Sequence, residues 1–168
     1  RGRSSAASDV YKRQGQVWLR ISGNVYLLDQ VRERMDFNAQ VQAIEAMSAK
    51  WPQAAAKFVE DKANGSALIS LLRGRIPGLI PVEPAGGKVE RALAVSPFMH
   101  SRNVYLPKPA LLPNVKELHS EIVNFPNSAH DDTVDALTQA LNQLLLNPIT
   151  GHGNPLDDVD PGDWRDDY

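Results

Sequence analysis

The chain has 168 residues, 42% of them hydrophobic, no cysteine and a formal net charge of −2. That length suffices for one domain with its own core. The lack of thiols excludes disulfides and thiolate zinc centres, so a bound metal would need carboxylate ligands with imidazole help, and no apolar run reaches the ~20 residues of a membrane-spanning helix. The charge is uneven: residues 1–14 balance to +3 and residues 157–168 to −5, leaving a neutral middle. A nucleic-acid surface would therefore have to be a local patch. No signal-peptide pattern opens the chain, and a cytoplasmic protein is expected.

Residues 1–14, RGRSSAASDVYKRQ, are polar and follow neither strand nor helix periodicity. They read as a non-native leader and are set outside the fold. GQVWLRI alternates, with Val17, Leu19 and Ile21 on one face and Trp18 and Arg20 on the other, and Ser22-Gly23-Asn24 signals a hairpin turn into a second strand, NVYLLDQV. Asp36 can cap a helix over Phe37 to Lys50, whose apolar residues Phe37, Val41, Ile44 and Met47 recur at helical spacing. AAAKFVE is a short strand. Asn64 or Gly65 opens a helix ending near Gly74, and GLIPVE is another strand. Lys88 to Met99 is helical, NVYLP extended, Pro113 to Val123 helical, and Ala129 to Leu146 the last helix. From Pro148 the composition turns to Gly, Pro and Asp, which reads as a disordered acidic tail over residues 148–168. A hairpin followed by alternating strands and helices predicts an α/β domain over residues 15–147, a mixed β-sheet flanked by helices. Sites in such sheets gather at strand ends and the helix starts that follow them.

Two acidic stretches occupy such places. VEDKANG sets Glu60 and Asp61 at a strand end, and NSAHDDTVDAL sets Asp131, Asp132 and Asp135 at the mouth of the last helix. Alternation points Glu60 and Asp61 to opposite faces, so Glu60 is the ligand candidate and Asp61 the residue that orients the loop. Two readings stand for the aspartates. The helix dipole favours carboxylates in a first turn by about 0.3–1 kcal/mol each. Alternatively, the clustered acids repel one another and a divalent cation offsets the repulsion. Carboxylate oxygens suit Mg²⁺ or Mn²⁺, and ions about 4 Å apart support hydrolysis of a phosphodiester.

VEDKANG, IPGLIPVEPAGGKVERALAVSP, NVYLP, FP and HDDTVDAL, in that order, resemble the C-terminal nuclease domain of the large terminase subunit of tailed bacteriophages. The likeness runs from about Gln16 to Leu146, with WLRISGNVYLLDQVRERMDF similar to the stretch after that domain's first catalytic strand. The resemblance implies an RNase H-like fold and a metal-dependent endonuclease that cuts concatemeric DNA by two-metal hydrolysis in the host cytoplasm. It also implies Glu60, Asp131 and Asp132 as catalytic metal ligands. The family's first acid lies on a strand before GQVWLRI, where this sequence has the leader, so the domain is expected to be truncated at its start and short of one ligand. The resemblance also implies a separate ATPase domain upstream, and no G-x-x-x-x-G-K-[ST] occurs in these residues.

Around these residues, Asp61, His130 and Asp135 are candidates to support the ligands. Lys62, Lys88 and Arg91 are candidates to contact the DNA backbone; Lys88 and Arg91 share a helix face, which a plain solvated face would explain equally. Double-stranded DNA, the portal protein and the small terminase subunit are the expected partners, the acidic tail being a candidate for the portal. Two alternatives remain at this point: a non-catalytic module binding DNA or portal on the same fold, and a junction resolvase.

Overall fold

The computed structural model describes residues 11–61, 65–128 and 131–147. The expected tail, most of the leader, Lys62 and His130 lie outside the described residues. The chain divides into two compact units, one built from residues up to Val17 together with Gln30–Gly86, the other from Trp18–Asp29 together with residues from Gly87 onward.

A long hairpin, β1 (Tyr11–Ile21) and β2 (Asn24–Met35), runs through both units. Its turn places Ser22 at φ 54°, a left-handed conformation uncommon for residues other than glycine. Strand β2 extends four residues past the expected Val31, and β1 begins at Tyr11, inside the stretch set aside as leader. A longer β2 provides ladder partners for a longer β1, which polarity along the sequence does not reveal.

In the first unit, α1 (Phe37–Lys50) follows the Asp36 cap, and β3 (Lys57–Glu60), α2 (Gly65–Leu72) and β4 (Leu79–Val82) form a β-α-β unit. The two strands pair in parallel, Lys57 with Leu79 through Glu60 with Val82. A parallel pair needs such a crossover, and α2 supplies it. The core gathers Val41, Leu68, Leu72 and Ile76, with Phe37 and Ile44 packed against it, so three of the four residues of the predicted α1 stripe face inward.

In the second unit, α3 (Lys88–His100) leads to β5 (Val104–Tyr105), which pairs in parallel with β2, Val25 opposite Val104. The stacked rings of Tyr26 and Tyr105, 4.7 Å apart, sit on this join. Helices α4 (Val115–Asn124) and α5 (Asp132–Leu141) follow, and a π-helical turn, Asn142–Leu146, ends the described chain. The core is Val25, Leu27, Val95, Leu118, Leu137 and Leu141, each fully buried leucine contributing about 2 kcal/mol of transfer free energy. Trp18 packs on this core, and Arg20, on the same strand face, donates to the Leu144 carbonyl at 2.7 Å. Trp18 and Arg20 can pack here because an indole and an arginine stem both carry large apolar surface.

One mixed sheet was expected; the described strands pair in two sheets, β1-β2-β5 and β3-β4. No described helix is long and apolar enough to cross a membrane.

Candidate metal and DNA-contact residues

In the first unit, Glu60 is the last residue of β3 and is half-buried. The Asp61 amide donates to the Val82 carbonyl at 2.9 Å, so the ladder holds the chain one residue beyond the strand. Gly65 lies close against the Glu60 carbonyl. A Cβ built on Gly65 would stand 2.0 Å from the Glu60 carbonyl oxygen, so a side chain there would force the turn open. Asp61 accepts a hydrogen bond from the Ser66 hydroxyl at the start of α2.

In the second unit, α3 faces the start of α5. Lys88 and Arg91, three residues apart, do share a face, and both reach acids of α5. Lys88 Nζ donates to Asp131 Oδ1 at 2.8 Å, with side chains 45% and 33% exposed. Arg91 pairs with Asp135, with side chains 10% and 16% exposed. The hydrogen bond to Asp131 raises the Lys88 pKa above its ordinary value; partial burial opposes this, and the charges of Asp131, Asp135 and Asp132 add to it. These two side chains supply positive charge beside Asp131 and Asp135. In place of a solvent-facing phosphate contact, Arg91 is buried on Asp135, because the face it shares with Lys88 is turned to α5.

Asp131 occupies the N-cap of α5, and Asp132 and Asp135 lie in its first turn. An aspartate at an N-cap ordinarily caps with its own side chain, but the Asp131 carboxylate makes no capping hydrogen bond. The acceptor comes from another helix. Glu121 of α4 takes the Thr133 amide at 3.1 Å on Oε2, and the same oxygen accepts the Thr133 hydroxyl. Both residues are buried, Glu121 at 7% exposure and Thr133 at 0%. The sequence reading missed this pair, although it left a trace: Val115, Leu118 and Glu121 repeat every three residues along the buried side of α4, and an acid on an apolar stripe signals a buried hydrogen-bonding role.

The donors available at these positions are carboxylate oxygens, which fit Mg²⁺ or Mn²⁺ in chemistry. Among the described residues, no three His, Asp or Glu side chains are grouped to hold a metal ion. Glu60 belongs to the first unit and the three aspartates to the second.

The alternation of strands and helices around these acids is that of an α/β fold. The chain is similar to the large terminase nuclease from thermophilic phage G20c, a crystal structure with bound zinc, at 24% identity and a TM-score of 0.50, over 80% of this chain and 82% of that one. The family model of the terminase RNase H-like domain matches residues 14–144, and the chain belongs to that family. No curated protein matches it.

Proposed function

We propose that this domain is a divalent-metal-dependent endonuclease that cuts double-stranded viral DNA during packaging in the host cytoplasm, with Glu60, Asp131 and Asp132 as the metal ligands and Mg²⁺ or Mn²⁺ as the ion. The observation that carries this reading is the family match across residues 14–144, which contains every one of these acids. When bound, such ions act as Lewis acids on the phosphodiester and lower the pKa of the attacking water.

The chain's own residues take distinct parts. Glu60 stands at a strand end, and its carbonyl leaves room only for glycine at position 65. Asp131 and Asp132 stand at a helix N-terminus, the end whose dipole attracts negative charge. Lys88 would have to release Asp131 for an ion to take it, and its ammonium, at the end of a side chain that is 45% exposed, is then a phosphate contact that positions DNA without reading sequence. Lys62 is proposed for the same role, and His130 for support of Asp131. Arg91 is committed to Asp135 and holds α3 to α5. The portal protein and the small terminase subunit are the proposed partners.

Nicking of supercoiled plasmid with Mn²⁺ or Mg²⁺ tests this reading. Glu60→Ala and Asp132→Ala should each lower the rate about 100-fold, while DNA retardation in a gel stays near wild type. Wild-type retardation without metal-dependent nicking, both in this chain and in one extended upstream, would replace the nuclease reading by that of a DNA-binding module. A comparison with the chain extended upstream tests whether a further acid completes the ligand set: nicking that appears only on extension supports it.

A further inference from the structure

We propose that Glu121 is a positioning residue, which caps α5 from the neighbouring helix and so leaves the Asp131 carboxylate, at the N-cap itself, turned away from the helix backbone. The first amides of a helix need acceptors, and an N-cap aspartate ordinarily provides one with its own side chain. Asp131 stands at that place with φ −133° and ψ 10°, outside the extended conformation of a capping residue, and makes no capping bond. The Thr133 amide is met instead by Glu121 Oε2, which also takes the Thr133 hydroxyl. Glu121, Thr133 and the buried stripe of α4 form a dry junction between α4 and α5. With the cap supplied from outside, Asp131 Oδ1 accepts from Lys88. The cap assignment stands on these contacts alone; its consequence for a bound cation rests on the ligand role proposed above for Asp131.

The test is amide hydrogen exchange at Thr133, read by NMR on the full chain, for wild type and for Asp131→Ala, Glu121→Ala, Glu121→Gln and the Glu121→Ala/Asp131→Ala double variant. Asp131→Ala should leave Thr133 protection within about twofold of wild type, whereas Glu121→Ala should lower it roughly tenfold, because a buried amide loses its acceptor. The double variant should lose more, since Asp131 can turn back to the helix only in the absence of Glu121. Glu121→Gln keeps a carbonyl acceptor and should restore most of the protection. Should Glu121→Ala fail to fold, Asp131→Ala and Glu121→Gln still decide: a loss of about tenfold with Asp131→Ala would overturn the assignment.

A Mn²⁺ titration followed by electron paramagnetic resonance reads the consequence. Glu121→Ala should weaken binding about tenfold and Glu121→Gln should recover it. Equal affinity in wild type and Glu121→Ala would overturn the positioning role. A wild-type chain that takes up no Mn²⁺ would remove the proposed ligand role of Asp131, while the exchange data would still judge the cap.

Discussion

Asp36 and Asp131 are the same residue at the same position of two helices, and they do different things. Asp36 has φ −77° and ψ −179° and accepts the Ala39 amide at 2.8 Å. Asp131 is rotated out of that conformation and pairs with Lys88. The difference is not in the aspartate but in its neighbours. Asp36 follows directly on β2, and its own carboxylate satisfies the Ala39 amide of α1. The start of α5 lies against α4 and α3, which bring Glu121 to its amides and Lys88 and Arg91 to its acids. An N-cap aspartate is therefore a default that a neighbouring helix can override, and the override leaves a carboxylate pointing outward.

The sharpest way to probe the α5 side is to remove what clamps it. Arg91→Met leaves Asp135 without its cation in a nearly dry setting, and unfolding in urea should show a loss of about 3 kcal/mol. A combined Arg91→Met/Asp135→Leu variant should regain most of it, because an apolar pair needs no solvation. A loss no larger than that of a surface substitution would mean that the pair is not desolvated.

The comparison itself is tested by truncating both aspartates. Asp36→Ala should cost about 1 kcal/mol, the usual worth of a side-chain cap. Asp131→Ala should cost less than about half of that, since it makes no cap and its pairing with Lys88 is partly exposed. Equal losses in the two variants would mean that the two aspartates play the same part.

The smallest expected effect concerns Lys88. Its pKa is raised in the folded chain, so the stability it contributes is fully present below the ordinary lysine value and disappears as the pH climbs through the raised one. The stability difference between wild type and Lys88→Met should thus be steady through neutral pH and shrink above about pH 10. It should be a few tenths of a kcal/mol at most, given the exposure of both partners. A difference that grows with alkalinity would contradict the pairing with Asp131.

Much of the fold was legible beforehand. The hairpin turn at Ser22-Gly23, the Asp36 cap, the helix from Lys88 and the strand ending at Glu60 all follow from local signals that act within a few residues. The expected last helix shows where such signals stop. One helix was read from Ala129 to Leu146, whereas α5 runs from Asp132 to Leu141 and then widens into a π-helical turn. The same limit applies to the acids. That Asp131, Asp132 and Asp135 share the mouth of a helix was visible, and so was the common face of Lys88 and Arg91. That this face meets those acids was not, because the partners are 43 and 44 residues apart.

The order of elements, the absence of thiol chemistry, the two acidic stretches and the family likeness were determined by the sequence alone, since each depends on residue type and short-range spacing. Tertiary structure decided which acid caps, which is clamped and which is held outward. Those outcomes depend on hydrogen bonds and ion pairs between helices remote in the chain, and a buried donor or charge takes whichever partner packing brings to it.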